Sequence, residues 1–161
     1  MKITRSGGRW YCAEVVSADS FGFGTYRFSL DSPVDALDPN VVLGLFTWSD
    51  DPAYNNREID IEFTRWGDPN NQNAQYVVQP YTLPQNIIRF DMPPAIDQSL
   101  HQVSMGGHSR FLSQRDRIRS STAKSECHHQ RMGIRGTRCT AGGWRERANK
   151  FLAARWRTTL E

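Results

Sequence analysis

Three carboxylates alternate with three large apolar residues in Glu58-Ile59-Asp60-Ile61-Glu62-Phe63. Side chains on a β-strand point to opposite faces with period two. As a strand, this segment sets Glu58, Asp60 and Glu62 on one face and Ile59, Ile61 and Phe63 on the other. The apolar face belongs in a core, whereas like charges at i, i+2 and i+4 repel one another. A solvated acidic face on an ordinary amphipathic strand is the bland alternative. The chemistry such a row could perform is cleavage of a glycosidic bond. Retaining glycosidases need two carboxyl groups roughly 5–5.5 Å apart, and inverting ones roughly 6.5–9.5 Å. Four strand steps separate the Cα atoms of Glu58 and Glu62 by about 13 Å. Two side chains reaching on the order of 4 Å each leave about 5 Å between them, which favours retention. Asp60, lying between two other carboxyls, is expected to have a raised pKa and to titrate with them as a coupled set.

The elements that must hold this row are read from the flanking sequence. Val41-Val42-Leu43-Gly44-Leu45-Phe46-Thr47-Trp48 reads as the preceding strand, joined to the acidic one by the polar loop 49–57. Gln75-Tyr76-Val77-Val78-Gln79-Pro80-Tyr81 reads as the following strand. Upstream, Trp10-Tyr11-Cys12-Ala13-Glu14-Val15-Val16-Ser17 and Phe21-Gly22-Phe23-Gly24-Thr25-Tyr26-Arg27-Phe28 read as two more. Turn residues punctuate these runs at Ser6-Gly7-Gly8, Asp19-Ser20-Phe21-Gly22, Asp31-Ser32-Pro33, Asp38-Pro39-Asn40 and Gly67-Asp68-Pro69-Asn70-Asn71. No apolar pattern of period 3.6 runs long enough there to indicate a helix. Short strands at regular spacing predict an all-β sandwich.

Taken together, these segments resemble glycoside hydrolase family 16, the group of lichenases and laminarinases. The residues that carry the resemblance are the E-x-D-x-E run 58–62, the Ala13-Glu14 strand and the Gly22-Phe23-Gly24-Thr25-Tyr26 turn, within a match over roughly residues 3 to 92. The resemblance implies a β-jelly roll (concanavalin-like sandwich) whose concave sheet carries a cleft. It implies Glu58 as nucleophile, Glu62 as acid/base and Asp60 as the assisting carboxylate. Glu14 matches a glutamate that hydrogen-bonds sugar hydroxyls, although an exposed strand charge reads equally well. Trp48 is expected to stack on a pyranose face, since a ring face suits the apolar side of a sugar. Trp66 is a second candidate of this kind. For Trp66, Tyr76 and Tyr81, core packing or surface contact is the even alternative. The implied activity is endo-type hydrolysis of a β-linked glucan or related polysaccharide, with no cofactor for chemistry and no ligand set for a metal. A non-catalytic carbohydrate-binding module and a non-functional gene fragment are the competing readings.

Past residue 98 the composition changes. Residues 1–98 hold 7 Lys/Arg against 13 Asp/Glu, and residues 99–161 hold 13 against 4. Val, Ile, Phe, Tyr and Trp fall from 27 residues in the first block to 7 in the second. All 8 prolines lie in the first block and 11 of the 17 arginines in the second. The domain reading is therefore a partial jelly roll over 1–98 and a basic segment over 99–161, irregular or weakly helical, with a short basic helix at 148–160. An out-of-frame translation accounts for this composition best. A basic arm for nucleic acid lacks interleaved aromatics. A metal site at Cys127, His128, His129 and Cys139 lacks any C-x-x-C pair. No specific nucleic-acid partner is expected, because the pI near 8.9 is generated by the second block. Cys12 reads as a core thiol on its strand. No run is long and apolar enough for an export signal or a membrane span, although the family is typically secreted. The expectation is a fragment lacking part of its sandwich, marginal in stability, with compartment and oligomeric state open.

Overall fold

The computed structural model describes residues 1–52, 58–94 and 98–105, together with the backbone of four later strands. Thirteen strands occur among these residues, with a 3-10 turn at Pro84–Asn86 and no α-helix among the described residues. The first two strands, β1 (Thr4–Ser6) and β2 (Arg9–Tyr11), form a separate hairpin. Its turn sets Gly7 at φ 54° and Gly8 at φ 78°, a left-handed pair that glycine adopts without steric cost.

A six-stranded sheet carries the acidic segment. Its order is β3 (Glu14–Val16), β12 (Arg131–Gly136), β5 (Leu43–Trp48), β6 (Ile59–Phe63), β7 (Ala74–Val78) and β8 (Ile87–Phe90). A five-stranded sheet runs β11 (Thr122–Ala123), β10 (Ser109–Ser113), β9 (Ser99–Met105), β4 (Gly24–Leu30) and β13 (Ala154–Thr159). All pairings are antiparallel. One core draws on both sheets: Tyr26, Phe28 and Leu30 from β4 and Val103 and Met105 from β9 join Leu43, Leu45, Ile59, Ile61, Phe63, Tyr76 and Val78. The architecture is all-β and resembles a β-sandwich.

The period-two reading of β6 holds. Ile59, Ile61 and Phe63 are 1 % exposed or less, and burial of each side chain stabilises the fold by roughly 1.5–3 kcal/mol. Tyr76 likewise belongs to the core. The segment read as one strand at 10–17 is broken into β2 and β3. Cys12 lies between them, half-buried and off any strand, because the chain leaves the hairpin there to enter the large sheet.

The second block departs most from expectation. Where an irregular or weakly helical segment was expected, the described parts are strands. β9 and β13 flank β4, and β12 sits between β3 and β5. At Ala154–Thr159, where the basic helix was expected, the backbone pairs with β4 residue by residue from Ala154 opposite Leu30 to Thr159 opposite Thr25. The reason is tertiary: the open ladder of β4 offers hydrogen-bond partners that local propensity does not register. The compositional boundary near residue 98 is no break in the sheets either, because β9 starts at Ser99 and is paired on both sides. Cys127, His128, His129, Cys139 and residues 148–153 lie outside the described residues.

Candidate active site

The face of the six-stranded sheet that points away from the core forms the floor of an open cleft of about 940 Å³. Glu58, Asp60 and Glu62 line it together with Trp48 and Trp66, so five of the six residues singled out from sequence converge on one space. The backbone arranges this by register. Gly44, Phe46 and Trp48 alternate along β5 on the cleft face, with Gly44 opposite Glu62 and Phe46 opposite Asp60. On the other side Gln75 lies opposite Glu62 and Val77 opposite Asp60. Glu58 immediately precedes β6, and its carbonyl accepts the backbone N–H of Gln79 at 3.0 Å, which continues the ladder by one step. The next backbone N–H, of Ile59, donates to Thr47 Oγ1 at 3.1 Å.

The sixth residue, Glu14, is exposed on the edge strand β3 and does not line the cleft. It does share the face. Glu14 pairs with Arg135, Arg135 with Gly44, and Gly44 with Glu62, so register puts it in the same cross-strand row as Glu62, three strands away. At about 4.8 Å per strand that is roughly 14 Å.

The repulsion expected within the acidic row is handled in two ways. First, the Asp60 carboxyl is held well above the usual carboxylate range. Burial is the largest cause, followed by the charges of Glu58 and then Glu62, and a hydrogen bond with Glu58 adds to it. The direction matches the sequence expectation, but desolvation rather than neighbouring charge leads, because Asp60 is only 7 % exposed between Phe46 and Val77. Second, two glutamines supply N–H donors. Gln75 Nε2 donates to Glu62 Oε2, and Gln79 Nε2 donates to Asp60 Oδ2 at 3.3 Å.

The walls are aromatic. Trp48 is half-buried and its indole N–H donates to Asp50 Oδ1 at 3.1 Å. Trp66 sits in a turn after β6 at φ 48°, followed by Gly67 at φ 83°. The turn is fixed by the Trp66 N–H donating to Thr64 Oγ1 at 3.1 Å and the Gly67 N–H donating to the Pro39 carbonyl at 2.7 Å. The Arg89 guanidinium lies over the Trp66 ring, 4.7 Å from its centroid. Tyr81, 64 % exposed, completes the rim. Sequence reasoning missed Gln75, Gln79 and Arg89. The signal for the glutamines was present, since Gln75, Val77 and Gln79 alternate with core residues along β7 and the residue after it, and so had to face the acidic row.

A cleft lined by three carboxyls and aromatic side chains can bind a sugar and move protons at its linkage. Comparison with solved structures bears on the fold. A beta-glucanase from Bacillus licheniformis superposes with a TM-score of 0.63 at 17 % identity, over 84 % of this chain and 64 % of that one. The chain is a distant structural relative of beta-glucanase and lichenase folds. A prokaryotic beta-1,3-1,4-glucanase (lichenase) from a mouse hindgut metagenome gives 0.57 at 19 % identity, over 82 % and 62 % of the two chains. An immunostimulatory antigen and pseudo beta-1,3-glucanase of Mycobacterium tuberculosis gives 0.59 at 15 % identity, over 85 % and 63 %. The chain thus spans less than two thirds of the length of these structures. No family model and no curated protein matches the chain. Among the described residues, no helix is long and apolar enough to cross a membrane.

Proposed function

We propose that this chain encodes a glycoside hydrolase of the family 16 type, built on a β-jelly roll, that cleaves β-linked glucan or a related polysaccharide with retention. The observation that carries the reading is the convergence of Glu58, Asp60 and Glu62 on one aromatic-walled cleft floor. A Glu58 carboxylate oxygen bonds to the anomeric carbon. The bond to the leaving oxygen breaks, its electron pair stays on that oxygen, and Glu62 delivers the proton. Water then attacks the same carbon, giving its proton back to Glu62 and releasing Glu58. Asp60, in its protonated form, donates to Glu58 and limits the charge in the row. Trp48 and Trp66 offer ring faces to flanking sugars, and Glu14, in the Glu62 row, suits the hydroxyls of a more distant sugar. No step calls for a cofactor.

The test is release of reducing sugar from mixed-linkage and β-1,3-glucans, with the anomer of the first product followed by proton NMR. Glu58→Gln is expected to abolish turnover. Glu62→Gln is expected to cost about 10²–10⁴-fold on glucan and to spare aryl glycosides whose leaving groups need no proton. Full activity of either variant on glucan, or an inverted first product, refutes the mechanism.

A second reading is a carbohydrate-binding module on the same scaffold. It is favoured by the likeness to the fold of a pseudo beta-1,3-glucanase. Glucan binding by the wild type without release of reducing sugar decides for it.

A further inference from the structure

Glu62, Gln75 and Arg89 form one row across β6, β7 and β8, each Cα directly opposite the next. Gln75 is only 6 % exposed. Its Nε2 donates to Glu62 Oε2, and its Oε1 accepts from Arg89 Nε at 3.3 Å. A guanidinium has donors and no acceptor, so it faces only the oxygen of the amide. The orientation of the Gln75 amide therefore follows from its neighbour: oxygen to Arg89, NH₂ to Glu62. Arg89 is anchored in turn over the Trp66 ring. The same device recurs four residues further on, just past β7, where the Gln79 oxygen accepts the Tyr81 backbone N–H at 2.9 Å and its NH₂ turns to Asp60.

Resting on the hydrolase reading above, we infer that Gln75 is a positioning residue for Glu62, locked in place by Arg89, which occupies one carboxyl oxygen and so assigns the transferable proton to the other. With Oε2 accepting from Gln75, the proton passed to the leaving oxygen resides on Oε1. An N–H donor also favours the ionised carboxylate over the acid. Gln75 thereby offsets the opposing influence of Glu58 and Asp60, the other two carboxyls of the row. From β5 the residue opposite Glu62 is Gly44, with Arg135 next in the row, and from β8 the charge is that of Arg89. The chain Trp66–Arg89–Gln75–Glu62 thus ties an aromatic wall of the cleft to the proton donor.

The experiment is a carbon-13 NMR titration of the Glu62 side-chain carboxyl in the wild type, Gln75→Leu and Arg89→Met, alongside pH profiles of kcat/KM on glucan. In Gln75→Leu the Glu62 midpoint is expected to rise by about one pH unit, with the basic limb of the profile moving the same way. Arg89→Met, on an exposed position, is expected to move both in that direction by a smaller amount, and it carries the test where Gln75→Leu does not fold. A Glu62 midpoint unchanged in the folded variants overturns the inference, even where kcat falls. A wild type that releases no sugar overturns the hydrolase reading instead, and leaves the titration as the measure of the Gln75 contact.

Discussion

The His101 ring meets Phe63 edge to face, with centroids 4.7 Å apart and planes at 63°. This contact joins the apolar face of the acidic strand to a residue of the basic second block. His101 is fully buried and its ring nitrogen Nε2 shares a 2.7 Å hydrogen bond with Ser99 Oγ. Burial lowers its pKa from 6.5 to about 4.

The first prediction concerns acid stability. With the folded pKa depressed, the unfolded chain binds a proton between about pH 6.5 and 4 that the native state refuses. Stability is therefore expected to fall as pH drops through that window, by on the order of 3 kcal/mol from this residue. His101→Leu leaves the Ser99 hydroxyl without this partner, so the informative quantity is the slope of Tm against pH. A slope as steep in His101→Leu as in the wild type contradicts the assignment.

Asp60 titrates in the opposite sense. Its folded pKa lies above the ordinary value of 3.8, so its contribution to stability is complete below that pH and is lost as pH rises through the folded pKa. Asp60→Asn is expected to raise Tm relative to the wild type at neutral pH, with the gain shrinking toward pH 4. Activity on glucan is expected to fall on the order of 10²-fold through misplacement of Glu58. Thermal melts at pH 4 and pH 7 and a reducing-sugar assay check both halves. Such a trade between stability and activity is common at active sites.

Gly67 holds φ 83° directly after Trp66. A Cβ there meets only Asn40 Oδ1 at 3.4 Å, an ordinary contact, so the cost of Gly67→Ala is conformational. Destabilisation by about 1–2 kcal/mol is expected, measured by urea unfolding. A rise in KM with little change in kcat is expected to accompany it, as the Trp66 wall shifts.

The division of the chain at residue 98 is tested by cutting it. A 1–98 fragment loses β9 and β13 and leaves β4 with neither of its partners. It is expected to aggregate rather than melt cooperatively, as judged by size-exclusion chromatography and circular dichroism. An out-of-frame origin for the basic block predicts strand-like sequence in another reading frame of the encoding DNA. That sequence is sought beyond codon 98, where the composition changes. Absence of strand-like sequence from both other frames rejects that origin.

The acidic strand was legible because strict alternation leaves a strand one way to bury Ile59, Ile61 and Phe63, and so one face for Glu58, Asp60 and Glu62. Trp48 and Trp66 were legible through their place beside that strand. β9 was not, although it too alternates, because two of its core positions hold Ser99 and His101, which read as surface residues until Phe63 is brought against the ring. Ala154–Thr159 was misread because Arg and Ala favour helix locally, and only pairing with β4 overrides that preference.

The sequence alone determined which side chains share a face and that three acids stand in one row, since both follow from the two-residue period of an extended chain. Tertiary structure decided that Gln75 and Gln79 meet those acids, that Arg89 joins Trp66 to Gln75, and that Glu14 stands three strands from Glu62. Those relations are set by strand order and register, where partners distant in sequence become neighbours through backbone hydrogen bonds that no local pattern encodes.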